Sequence, residues 1–212
     1  MGRQKGPVGE IDVGEVTAAD IEEVAARLVE FARPYRELMQ LESQGEHLGT
    51  FVAGLVGDLK RKSVEPIAIA SGQSRGPLQH FVGASTWSES PILALLRTQV
   101  ATELGEADGV IVLDGSAVAK KGRDSVGVVR QWCGRLGKVE NCQVGIYLAY
   151  AGKGSGVLVD RRLYLPREWA ADKARRKKTH VPPEVRFKKA WELGDELLVA
   201  NAGHLPHSWI VV

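Results

Sequence analysis

Cysteine is scarce in this chain of 212 residues, with only Cys133 and Cys142. The two form neither a Cys-x-x-Cys pair nor a disulfide framework, and no histidine cluster stands beside them to complete a zinc site. Reduced thiols buried as small apolar groups are the expectation. Long apolar runs are missing too. None approaches the roughly 20 residues that a bilayer-crossing helix needs, so a membrane partner is not expected. The first residues, Met1 to Gly9, are polar and glycine-containing with no apolar stretch behind them, and residues 1–16 read as a disordered start to a cytoplasmic protein. Excess charge of one sign is also lacking: the net charge is +2, which by itself marks no nucleic-acid partner.

What is present is an uneven distribution. Residues 1–110 carry 10 Lys and Arg against 16 Asp and Glu, whereas residues 111–212 carry 18 against 10. A polyanionic partner is therefore expected on the second half. Hydrophobic content of 44% is ordinary for a globular chain, and the length suits one large domain or two small ones.

The first half reads as helical, over residues 17–105. Thr17 or Asp20 can cap a helix whose apolar residues Ile21, Val24, Ala25, Leu28, Phe31 and Ala32 recur at spacings of three and four, with Pro34 as a kink or an end. Leu48 to Leu59 repeats the pattern and closes in Lys60-Arg61-Lys62. Glu65–Ala70 and Pro77–Val82 form a helix, glycine-bearing turn and helix, the outline of a helix-turn-helix DNA reader with Gln79 and His80 on its second helix. Such corners occur in any helical domain, and the plainer reading is a packing element whose Leu78 and Phe81 are core. A last helix runs from Pro91 to Leu104, capped by Ser90, and ends at the polar link 105–109.

Beyond the link, over residues 109–212, the period changes to strands. Val110 to Leu113 is an apolar run of the kind buried on both faces, and it ends on Asp114. Cys142–Ala149 and Val157–Tyr164 follow, joined by a hairpin turn at 152–156, so that three strands make an antiparallel meander. A charged connection, 166–181, leads to a helix over 182–202 and a fourth strand at 207–212. The fold class is α+β.

A carboxylate at a strand end facing the basic loop Lys120-Lys121-Gly122-Arg123 suits a divalent metal working on a phosphate backbone. On residues alone, a strand-end Asp that caps the following turn is the commoner arrangement. Lys120, Lys121, Arg123, Arg130 and Lys138 are candidate phosphate contacts, giving affinity and salt dependence rather than base readout, or else a solvated loop. Asp160 is expected to ion-pair with Arg161 and Arg162. Glu192, Asp195 and Glu196 read as the solvated face of a helix, and His180, His204 and His207 share no ligand spacing.

One string gathers most of these residues: Asp114-Gly115-Ser116, Lys120-Lys121-Gly122, Ser125 to Val128, Arg130-Gln131, Cys133-Gly134, Gly137-Lys138 and Asn141-Cys142-Gln143. It resembles the core of the SRSO-type insertion-sequence transposases, bacterial DDE enzymes with a ribonuclease-H-like catalytic domain. The likeness extends upstream through Arg61 to Ala68 and downstream through Asp160 to Pro166 and Trp169. It implies that residues 109–212 form the first half of such a domain. It also implies metal-dependent cleavage and strand transfer of double-stranded DNA at element ends, and Asp114 as the first metal-holding acid, with Mg²⁺ as the expected ion. The family's acidic residue after that Asp is replaced here by Gly115, and its second and third acids fall past Val212. The resemblance therefore implies a truncated chain, inactive alone, that works with a second copy or a full-length transposase. The alternatives are a DNA-binding remnant acting as repressor or competitor, and a non-functional pseudogene product.

Overall fold

The computed structural model describes the backbone of residues 18–212 and side chains from residue 23. The expected disordered start and the Thr17 cap lie outside the described residues. The chain divides into two units, Met1–Ser88 and Glu89–Val212.

In the first unit, helix α1 (Ala18–Glu37) runs on through Pro34, and α2 (Glu42–Val56), α3 (Val64–Ala70) and α4 (Arg75–Gly83) follow. Its core gathers Ile67, Ala68, Leu78 and Phe81, with Leu48 and Phe51 against them. Gly54 allows α2 to approach α3, since a Cβ there would stand 2.4 Å from Ile67 Cγ2. Leu78 and Phe81 thus fill the core as a packing corner requires, while Gln79 and His80 are exposed. Gln79 Oε1 accepts from Arg75 Nε at 2.7 Å. The expected apolar face of α1 is only partly used: Ala32 and Tyr35 are buried, but Val24 and Phe31 face solvent.

The second unit opens with α5 (Ser90–Glu103), so the expected link at 105–109 lies inside it. Four strands follow: β1 (Val110–Ala119), β2 (Val129–Cys133), β3 (Lys138–Gly152) and β4 (Ser155–Leu163). The short helices α6 (Arg167–Ala171) and α7 (Lys173–Lys178) precede α8 (Ala190–Asn201) and a last strand, β5 (Trp209–Val211). The sheet is mixed. β3 pairs antiparallel with β1 along one edge, β2 and β4 share its other edge end to end, and β5 pairs parallel with β1. Helices followed by a mixed sheet make the chain α+β, as expected.

The meander of β1, β3 and β4 is present, with β2 interposed between its first two strands in sequence. Lys153 (φ 46°) and Gly154 (φ 73°) form the hairpin turn between β3 and β4, the doubly left-handed turn that matches strand twist. The helix expected from residue 182 starts only at Ala190. Arg176 Nη2 donates to the carbonyls of Pro182 and Val185, each at 2.8 Å, and so holds that stretch as a loop.

One face of the sheet is covered. Ile111, Ile146, Leu148, Tyr150 and Val159 meet Val100 of α5, Leu193 and Leu197 of α8, and Leu205. Strand alternation sends Val112, Asp114, Tyr147 and Leu158 to the other face, where Leu158 is 61% exposed.

Candidate nucleic-acid interface and catalytic carboxylate

Asp114 does not end its strand. β1 continues to Ala119 because Gly115 to Ala119 pair with Ile146 to Cys142 of β3, and this cross-strand ladder overrides the local turn character of Gly115-Ser116. Asp114 does stand beyond the parallel part of the sheet, whose last pair is Val112 with Val211. It lies opposite Tyr147, which lies opposite Arg161 of β4, so the three side chains share the uncovered face. The Asp114 carboxylate is exposed, and its Oδ1 accepts a hydrogen bond from the Gly115 N–H at 2.7 Å. Among the described residues no cation pairs with it.

A divalent ion on a phosphate substrate is commonly held by one or two carboxylates together with substrate oxygens. Asp114 fits one such shared ion, but it does not fit the two-metal cage of phosphodiester cleavage. Among the described residues no group of three or more His, Cys, Asp or Glu is placed to hold a metal.

The basic loop folds into a defined shape. Lys120, Lys121, Arg123 and Arg130 line one cleft of about 630 Å³ together with Asn141. Asn141 Nδ2 fixes the loop by donating to the carbonyls of Lys120 at 2.6 Å and Gly122 at 3.0 Å. From the other side, the Arg175 guanidinium lies 3.7 Å over the ring of the buried Trp169 and donates to the carbonyls of Arg123 and Val128. The Trp169 indole N–H donates to that same Val128 carbonyl at 2.9 Å. Asn141 and Arg175, the latter stacked on Trp169, thus hold the loop in place. The sequence offers no signal for these roles, because Arg175 sits in a run of cations that reads as solvated.

Lys138 stands apart from this cleft. It ion-pairs with Glu140 at 3.2 Å, and Arg130 approaches the same carboxylate at 4.0 Å. The Asn141 backbone amide, and then Lys138, hold the Glu140 carboxyl below the usual carboxylate range. At neutral pH Glu140, which itself lines the cleft, is therefore ionised and offsets part of the cleft's positive charge. Lys120, just past the end of β1, lies six positions after Asp114, about 20 Å at strand rise.

Asp160 is structural, as its arginine neighbours suggested. Its side chain is 2% exposed, pairs with Arg162 at 3.0 Å and accepts from Asn201 Nδ2 at 3.0 Å. Arg97 in turn donates to Asn201 Oδ1 at 3.1 Å. Glu192 caps α8 by accepting from the Lys189 N–H at 2.6 Å. Both cysteines are buried, and burial first, then the neighbouring Cys133, pushes the Cys142 thiol up.

Comparison with known proteins bears out the resemblance. The chain is 29% identical over 153 residues to a probable transposase for insertion sequence element IS701 from Microchaete diplosiphon. That match takes in 70% of this chain and 40% of the relative, so the chain spans about two fifths of the protein it matches. No solved structure matches, and among the described residues no helix is long and apolar enough to cross a membrane. The family model of the DDE superfamily endonucleases matches residues 35–212, and the chain belongs to that family.

Proposed function

We propose that residues 109–212 form the opening half of a ribonuclease-H-like domain of an insertion-sequence transposase, and that this half supplies a DNA-binding cleft and one metal-holding carboxylate. The observation that carries the reading is the pairing of two features on one strand. β1 presents an exposed carboxylate that has no counter-ion among the described residues, and about 20 Å further on it runs into a cleft lined by Lys120, Lys121, Arg123 and Arg130. Duplex DNA laid along β1 would meet cations at its backbone and a carboxylate at a phosphodiester. The strand order agrees, with β1 between β3 and the parallel β5. In this reading Asp114 holds one shared ion, Mg²⁺ by the preference of hard oxygen ligands for hard cations.

Taken alone, the chain would bind DNA without cutting it, because a single carboxylate cannot hold both ions of an in-line displacement. Binding to a short duplex should weaken steeply with salt, with a log–log slope of about −3 to −4 for the four cleft cations. Reversing Lys120 and Lys121 to Glu should flatten that slope. Salt-independent binding, or Mg²⁺-dependent nicking that survives Asp114→Asn, would refute the assignment.

A further inference from the structure

We infer that the hairpin of β2 and β3 carries a stacking platform for an unpaired DNA base, and that Trp132 is that platform. The inference rests on the DNA-binding reading above and specifies part of its substrate.

Trp132 is 63% exposed, on a short strand whose neighbour Cys133 is 1% exposed and anchors it from the opposite face. It alternates with Arg130 along β2 and lies opposite Val139, so Trp132, Arg130, Val139 and Asn141 share one face, two of them lining the basic cleft. The indole nitrogen lies over Gly134, 3.9 Å from where a Cβ would stand there, and has no hydrogen-bond partner among the described residues. The platform is held firmly: Gln131 Nε2 donates to the Cys142 carbonyl at 3.0 Å, and Gly137 (φ 62°) closes the hairpin.

The structural tryptophans are treated differently. Trp169 is fully buried and Trp87 partly so, and each donates its N–H to a backbone carbonyl. Trp209 is 64% exposed, but it sits on β5 among Ile210 and Val211 rather than among cations; Trp191 is 62% exposed with Lys189 Nζ 5.8 Å from its ring centroid, but it starts α8 and does not share a strand face with residues of the basic cleft.

Charge selects the partner. Arg130 shares the face of Trp132 and lines a cleft with Lys120, Lys121 and Arg123, while the acids nearby are already paired, Asp124 with Lys178 at 3.0 Å and Glu140 of the cleft wall with Lys138 at 3.2 Å. A large aromatic face among cations is the combination that holds unstacked bases while the phosphates are neutralised. Bases inside an intact duplex are already stacked, so the ligand is a base freed at an end, a nick or a short tail.

The test compares a blunt duplex with the same duplex carrying a short single-stranded tail that contains 2-aminopurine, against the intact chain. Wild type should bind the tailed DNA more tightly and quench the 2-aminopurine. Trp132→Ala should lose roughly five- to a hundredfold of the tailed affinity together with the quenching, at an unchanged salt slope and an unchanged blunt-duplex affinity. Trp132→Phe should restore most of both. If wild type binds the blunt duplex with the expected slope but Trp132→Ala keeps the wild-type preference and quenching, the stacking role is wrong and the DNA reading stands. If wild type binds neither DNA at low salt, the DNA reading itself fails and the stacking site with it.

Discussion

Two carboxylates of the sheet, Asp114 and Asp160, are neighbours in the ladder and opposites in environment. Leu148 of β3 lies opposite both Leu113 and Asp160, so the two acids are one residue out of step and face opposite sides. Asp160 is buried and fully engaged, held by Arg162, Asn201 and the Arg161 N–H, the last at 2.7 Å. Asp114 is exposed and, among the described residues, held by nothing beyond the N–H of its own successor. A buried charge is tolerated only when partners satisfy it, so Asp160 is tied to the fold. An exposed charge without partners makes no such demand, which leaves Asp114 free for a metal or a phosphate. Acidity alone distinguishes nothing here; the number of protein partners does.

Removing Asp160 should give the largest effect on stability. Asp160→Ala leaves Arg162 and Asn201 without their acceptor and should cost about 3–5 kcal/mol, read as a lower urea midpoint. Asp114→Asn should sharpen the contrast by shifting that midpoint within roughly 0.5 kcal/mol. A smaller effect on binding is expected at Glu140. Its depressed pKa means that its pairing with Lys138 is present at neutral pH and is lost as pH falls through the folded value. Glu140→Gln should free Lys138 and Arg130 and tighten duplex binding at neutral pH by roughly two- to fivefold. The gap between variant and wild type should close as the pH is lowered into the acid range, as measured by fluorescence anisotropy.

The apolar run before Asp114, the turn at Lys153-Gly154 and the helices with three-and-four spacing were legible because each is set by residues close in sequence. What was not legible depends on distant partners. Gly115-Ser116 looks like a turn until β3 is there to pair with it. β2 is only five residues long, with Arg130 and Gln131 breaking its apolar character, and its ladder with β3 makes it a strand. The 182–189 stretch reads as a helix start, but Arg176 captures its carbonyls. At the candidate site the cations were visible in the sequence as a cluster. Their shaping into a cleft by Asn141 and by Arg175 stacked on Trp169 was not, since these residues lie 18 to 55 positions from the loop they hold. Asn201 as the partner of Asp160, 41 residues away, was hidden for the same reason.

The most direct test of the claim that Asp114 faces a phosphate through a shared metal ion is the duplex affinity of wild type and Asp114→Asn, measured with chelator and again with Mg²⁺ at matched ionic strength. With chelator, a bare carboxylate beside a phosphate repels it, so Asp114→Asn should bind more tightly than wild type. With Mg²⁺ bound between carboxylate and phosphate, wild type should draw level or bind more tightly. A ratio of the two affinities that stays the same in both conditions would place Asp114 away from the DNA and contradict the account.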